Sequence, residues 1–249
     1  MSFADLHHAD DPLLLPNAWD HASASALAAQ GFPAVATTSL GVAAAVGVLD
    51  GVSATREHTL HLALTLGSEP FFLSVDAEDG FSEDPDEVGE YARELAVVGA
   101  VGINLEDGLG PVGRHAAKIA AVKSAAPGLF VNARTDTHWL GDGEDTLSRL
   151  DAYQQAGADG VFVPGLTDPQ EIACLVKHLG VPLNILYSPT GPTVPALADL
   201  GVRRISLGSL LYRRALGAAL ETVAALRAGR TPQGAALSVR EVQAFARTP

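Results

Sequence analysis

Residues 71–108 read FFLSVDAEDGFSEDPDEVGEYARELAVVGAVGINLEDG. An apolar run, Phe71–Val75, leads into an acidic turn; a helix-like segment, Asp84–Val98, follows, and then a second apolar run, Gly102–Leu105, with its own acidic turn. The helix start is marked by Asp84-Pro85, an N-cap residue before the proline whose fixed φ suits the first helical position, and Glu87 falls three residues after the cap. Val88, Tyr91, Leu95 and Val98 recur at helical spacing, and Gly99 stops the helix. The two flanking runs are apolar throughout rather than alternating, as expected of parallel strands covered by helices.

Working outward, the same unit repeats along the chain. Strands are expected at Leu13–Pro16, Ala34–Thr38, Phe71–Val75, Gly102–Leu105, Phe130–Ala133, Gly160–Val163, Leu183–Leu186 and Arg204–Leu207. Thr167–Leu179 copies the first helix, with Asp168-Pro169 at its start and Gly180 at its end, and Ser209–Arg227 carries Leu216, Leu220, Val223 and Leu226 on one stripe. No break in composition divides the chain. The fold class is therefore α/β: a single (β/α)8 barrel over residues 1–249, with 231–249 an extension that packs on a neighbouring subunit. An open doubly wound sheet is the competing arrangement, but Pro16-Asn17-Ala18-Trp19-Asp20, the first strand–helix turn, lacks the glycines of a dinucleotide fingerprint.

The chain has 249 residues, 47% of them hydrophobic, and a formal net charge of −13. That length suits a barrel of about 250 residues, and the charge argues against nucleic acid or an anionic membrane surface as partner. A lone cysteine, Cys174, makes no internal disulfide, and the opening MSFADLHHADDP does not read as a signal peptide. The longest apolar stretch, 34–49, is too short to span a bilayer. A cytoplasmic location is expected.

Barrel enzymes of this type carry their chemistry at the carboxyl ends of the strands. The third strand ends Ser74-Val75-Asp76-Ala77-Glu78-Asp79-Gly80 and the fourth Asn104-Leu105-Glu106-Asp107-Gly108. Asp76 and Glu78, two apart, share a side of an extended backbone. With Glu106 on the neighbouring strand they form a carboxylate cluster that a cation must neutralise, and hard oxygen ligands suit Mg2+, with Mn2+ the alternative. Taken singly, each acid is also what a helix start or a solvent loop carries. Arg134, after the fifth strand, can clamp a carboxylate or simply pair with Asp136. Thr38-Ser39-Leu40-Gly41 offers hydroxyls and backbone N–H groups, or ordinary turn chemistry, and Asp50-Gly51 is also a common turn.

At these residues the chain resembles the isocitrate lyase/phosphoenolpyruvate mutase superfamily, in its small phosphonomutase-like and 2-oxo-acid lyase branch. The resemblance runs from Asn17-Ala18-Trp19-Asp20 through both acidic strand ends and Asn132-Ala133-Arg134-Thr135-Asp136 to Arg204-Ile205-Ser206-Leu207-Gly208. It implies a (β/α)8 barrel, often with a terminal helix swapped in a homodimer or homotetramer. It also implies Mg2+ held by Asp76, Glu78 and Glu106, chiefly through waters, with Asp50 assisting. Thr38, Ser39 and Leu40 would hold the substrate head group, Arg134 would bind the substrate, and Asn184 would lie over it.

The departures bear on the reaction. Lyases of the superfamily carry a Lys-Lys-Cys-Gly-His loop after the fourth strand; here residues 107–115 read DGLGPVGRH. Cys174 is expected mid-helix in the core. Gly165 stands where a lyase-type Glu is expected, and Ala36 replaces an aromatic residue whose space Trp19 would fill. The expected activity is cleavage of a carbon–carbon bond in a small 2-oxo or 2-hydroxy acid through an enolate, the proton coming from water or from His115, read as a loop residue. Carbon–phosphorus chemistry and a 2-oxo-acid binding protein with little turnover are the alternatives.

Overall fold

Branched and aromatic residues in short runs, each closed by a turn and a capped helix, give nine parallel strands in the computed structural model, which describes residues 1–141 and 143–246. The strands are β1 (Leu13–Leu15), β2 (Asn17–Ala18), β3 (Ala34–Thr37), β4 (Phe72–Asp76), β5 (Ala100–Glu106), β6 (Phe130–Arg134), β7 (Gly160–Val163), β8 (Leu183–Leu186) and β9 (Arg204–Ser206). The helices are α1 (His21–Ala29), α2 (Ser39–Val46), α3 (Arg56–Leu66), α4 (Pro85–Val97), α5 (Val112–Ala125), α6 (Thr146–Gln155), α7 (Pro169–His178), α8 (Val194–Asp199), α9 (Leu210–Arg227) and α10 (Val239–Gln243). Every expected strand is present to within two residues, and the expected helices start at their Asp-Pro caps: Asp84 accepts from the Asp86 N–H and Asp168 from that of Gln170.

The order β1-β9-β8-β7-β6-β5-β4-β3-β2 closes on itself, because β1 and β2 are one stave interrupted at Pro16. Its lower half pairs with β9 and its upper half with β3; Pro16 has no N–H to give, but its carbonyl accepts from Ala36 at 2.8 Å. The ring is the (β/α)8 barrel that the sequence implied.

Strand alternation divides the apolar residues. Val35, Leu73, Val75, Ile103, Leu105, Val131 and Val161 form one cluster with Tyr91, Leu95, Ile119, Val122, Leu150 and Ile172 of the helices. A second cluster joins Leu13, Leu15, Ala34, Ala36 and Phe130 to Phe3 and Leu6, with Phe72 against it. The N-terminal segment, polar on paper, thus plugs the base of the barrel; His7 in its 3-10 turn Asp5–His8 stacks on Phe130 at 4.2 Å. Above that layer the interior turns polar, with Asn104, Asn132, Asn184, Arg204 and Ser206 all buried.

The exception to tight packing is α9. Of its residues only Ala225 is buried, while Leu216, Leu220, Val223 and Leu226 are 50%, 66%, 52% and 60% exposed. No helix among the described residues is long and apolar enough to cross a membrane.

Candidate active site

The strands end at a mouth with two adjoining cavities. One, of about 100 Å³, has Thr38, Ser39, Leu40, Asp50, Asp76, Asn104 and Arg134 on its polar side and Trp139, Phe162, Pro164 and Leu186 on its apolar side. The other, of about 230 Å³, is lined by Glu78, Asp79, Glu83, Glu106, Asp107, Arg114, His115 and Lys118.

Asp76 closes β4. Its N–H donates to the Thr37 hydroxyl at 2.9 Å, and its carboxylate accepts the Ser39 N–H at 3.1 Å. Thr38 caps α2, so the first N–H groups of that helix face the smaller cavity, an arrangement that favours an anion. The premise of an extended backbone from Asp76 to Glu78 fails. Glu78 has φ +48°, in the left-handed region, so the two carboxylates are turned to different cavities instead of one side. Glu78 is nevertheless fixed: the Thr55 hydroxyl donates to its Oε1, and its backbone carbonyl accepts from Glu106 N–H at 2.8 Å.

Arg134 makes the ion pair with Asp136 that the sequence allowed, and a second one with Glu106. Its Nη1 lies 2.6 Å from Glu106 Oε2 and its Nε 2.6 Å from Asp136 Oδ1, while the side chain still lines the smaller cavity. Burial pushes the Glu106 carboxyl up to about 8, with Arg134 opposing and Asp76, Asp136 and Glu78 adding to the rise. Burial likewise raises Glu78, against the Thr55 hydrogen bond, and raises Asp50, against Ser39 and with Asp76. Five carboxylates, Asp50, Asp76, Glu78, Glu106 and Asp136, thus act on one another around the Arg134 guanidinium. Asp107 is a hub of a different kind. It accepts from Thr135, Tyr153, Arg149 and two backbone N–H groups, which lower its pKa against the effect of burial.

A divalent cation fits this chemistry. Glu78 Oε2 is buried with no hydrogen-bond partner, and the Glu106 carboxyl is held up by acids that a cation would neutralise. Among the described residues no three His, Cys, Asp or Glu side chains close directly on one ion. The donor set therefore suits an ion that keeps several waters and reaches part of the cluster through them, the habit of Mg2+.

Several expected residues lie elsewhere. Trp19 packs edge-on against Tyr212 at 5.4 Å and faces a groove beside α1, away from the smaller cavity. Asn184 is a layer below the mouth, donating to Ser206 Oγ at 2.9 Å, because strand stagger places β8's Leu186 at the rim instead. His115 is on α5 rather than in a loop; it is 4% exposed, edge-on to Tyr153, and burial pushes it down to about 4 despite Asp107. Cys174 is exposed on α7, not in the core, because the buried stripe of that helix is Ile172 and Leu175. Gly165 has φ +85°, and a Cβ there would meet the His138 carbonyl at 2.4 Å. The backbone that replaces the lyase-type Glu excludes any side chain. The apolar wall of Trp139, Phe162 and Leu186 was missed; a Trp just past the Arg134-Thr135-Asp136 strand end was its one visible signal.

A closed parallel barrel with acids and an arginine at its mouth is the architecture of the isocitrate lyase/phosphoenolpyruvate mutase superfamily. Residues 3–227 match the model of the phosphoenolpyruvate phosphomutase family, and the chain belongs to that family. It is 45% identical over 236 residues to an uncharacterized protein of Mycobacterium tuberculosis, covering 92% of this chain and 90% of that one. It is 28% identical over 211 residues to the 2-methylisocitrate lyase of Bacillus subtilis, covering 79% and 70%. A solved structure from Burkholderia cenocepacia J2315, assigned provisionally as a lyase/mutase, superposes with a TM-score of 0.89 at 34% identity, covering 100% of this chain and 95% of that one.

Proposed function

We propose that the protein is a Mg2+- or Mn2+-dependent lyase or decarboxylase that cleaves the bond to C3 of a small 2-oxo or 2-hydroxy acid through an enolate. One observation carries the reading. Arg134 and the N-terminus of α2 converge on a cavity of about 100 Å³ that shares a wall of carboxylates with its neighbour. Two anion-binding groups suit the carboxylate of the substrate, and the carboxylates suit a cation beside it.

Asp50, Asp76, Glu78 and Glu106 would hold the ion, which when bound supplies Lewis-acid polarisation of the 2-oxo group. The Ser39 N–H holds Asp76 in place, while the Leu40 N–H, the Thr38 hydroxyl and Arg134 bind and orient the substrate carboxylate. Trp139, Phe162 and Leu186 exclude water from the face opposite. With oxaloacetate, the C3–C4 bond breaks, its electrons pass into the enolate, carbon dioxide leaves, and C3 then takes a proton to give pyruvate. His115, neutral and buried in the adjoining cavity, relays that proton from water; a cysteine does not supply it.

The test is incubation with Mg2+ and oxaloacetate, phosphonopyruvate or 2-methylisocitrate while pyruvate, carbon dioxide and phosphate are followed. Pyruvate with carbon dioxide, lost on chelation, is expected. Phosphate from phosphonopyruvate alone would favour the carbon–phosphorus alternative, to which the family match lends weight. No turnover of any of them, alongside stabilisation by pyruvate, would leave a binding protein.

The exposed stripe of α9 supports a homodimer, the assembly proposed here. The helix stands away from its own barrel, leaving beside α1 an apolar groove lined by Ala22, Ala26, Leu27, Leu237, Val242 and Phe245. A second copy's helix would cover such a surface, each fully buried leucine contributing roughly 1.5–3 kcal/mol. The extension from residue 231, with α10, forms part of that groove.

A further inference from the structure

Arg204 is the largest fully buried side chain of the described residues, at 0% exposure; it starts β9, level with Leu13 of the basal cluster, and reaches inside the barrel to Asn104 and Ser206 below the mouth. That layer of a barrel is ordinarily filled by branched aliphatic residues. Arginine is almost never fully buried unless an acid pairs with it, yet among the described residues no carboxylate lies within 4.0 Å of this one. A guanidinium keeps its charge, so the charge itself needs an explanation; methionine or leucine would fill the same space without the cost of desolvation.

Its hydrogen bonds point upward. Nη2 donates to Asn104 Oδ1 at 2.9 Å and Nε to Ser206 Oγ at 3.3 Å, and both of those residues form the floor of the smaller cavity. Asn104 Oδ1 also accepts from Asn132 at 2.8 Å, and Ser206 Oγ from Asn184 at 2.9 Å, so one cation organises the whole polar layer. Asn104 is in register with Asp76, and Asp76 is the group whose field favours the buried charge, against desolvation. The third nitrogen, Nη1, is buried without a partner.

We propose that Arg204 is a positioning residue: a fixed cation under the floor that orients Asn104 and Ser206 and makes the cavity selective for a dianionic, enolate-like occupant. The inference rests on the functional reading above. A buried positive charge below the site attracts an anion and repels a cation through the same low-dielectric medium. Its removal therefore moves the two affinities in opposite directions, which a residue that merely held the layer together would not do.

The experiment is calorimetric titration of the wild type, Arg204→Gln and Arg204→Lys with Mg2+ alone, and with oxalate in saturating Mg2+. Oxalate is used because it is a planar dianion shaped like the enolate of pyruvate. For Arg204→Gln we expect oxalate affinity to fall tenfold or more while Mg2+ affinity rises; Arg204→Lys should stay within about threefold of the wild type for oxalate. Parallel loss of both affinities in Arg204→Gln, unchanged oxalate binding in it, or a lysine variant as weak as the glutamine one overturns the proposal. Should Arg204→Gln not fold, the lysine variant decides alone: near-wild-type affinity supports the fixed charge, and a tenfold loss overturns it. A wild type that ignores oxalate overturns the functional reading and this inference with it; oxalate binding that is indifferent to Arg204 overturns this inference only.

Discussion

Arg134 and Glu106 face each other at 2.6 Å on the wall between the two cavities, register partners on adjacent strands. The pair ties the proposed substrate clamp to the proposed metal shell, so neither can move without the other. Replacing Glu106 by alanine should abolish Mg2+-dependent binding of oxalate and leave the melting temperature within a few degrees of the wild type. Unaltered affinity would remove Glu106 from the shell.

The same carboxyl predicts a pH dependence. Because burial holds Glu106 up to about 8, an incoming cation must displace its proton. Mg2+ affinity should rise as pH goes from 6 to 8, by at most about tenfold per unit, with proton release seen as a dependence of the calorimetric heat on buffer. A flat profile over that range would contradict it.

Burial pushes His7 down to about 3, with Arg204 adding to the effect. A depressed histidine leaves the folded state without the proton that the unfolded chain accepts near its ordinary value. Its contribution is thus fully present above about pH 6.5 and declines as pH falls toward 3. Between pH 6.5 and 5 the loss should be on the order of 2 kcal/mol. His7→Phe should flatten that part of the curve in urea titrations, as long as Phe130 still accepts a stacked ring.

Gly165→Ala tests the loop that replaced the lyase-type acid. At φ +85° and 2.4 Å from the His138 carbonyl, a Cβ strains the backbone at once. A loss of about 1–3 kcal/mol in stability is expected from thermal melts. A neutral effect would mean that the His138 segment yields easily.

For the proposed assembly, Leu216→Glu with Leu220→Glu should shift the protein from dimer to monomer in sedimentation velocity. A wild type that is monomeric at micromolar concentration would remove the helix exchange altogether.

The strands and helices were legible because each carries its own local signal. Asp84-Pro85 and Asp168-Pro169 cap helices by the same hydrogen bond wherever they occur. The smaller cavity's Thr38, Ser39, Leu40, Asp50, Asp76 and Arg134 were legible because strand ends define the mouth. What escaped depends on backbone or stagger. Nothing in the sequence announces that Glu78 turns left-handed, which separates it from Asp76. Trp19, just past β2, and Asn184, within β8, stand at plausible positions, but barrel tilt sets which residue reaches the rim. Arg204 follows Arg203 at a strand start and reads as surface charge, though only Arg203 reaches the outside, donating to the Ala9 carbonyl. Phe3, Leu6 and His7 were hidden in a segment whose average is polar.

That N-terminal cork has a consequence for traffic. With Phe3, Leu6 and Phe130 sealing one end, a reactant and whatever is made from it must share a single doorway. A small gas can slip past a bound acid there, whereas a second acid would have to wait its turn. Under the proposed decarboxylation, that leaves one bulky departure per cycle.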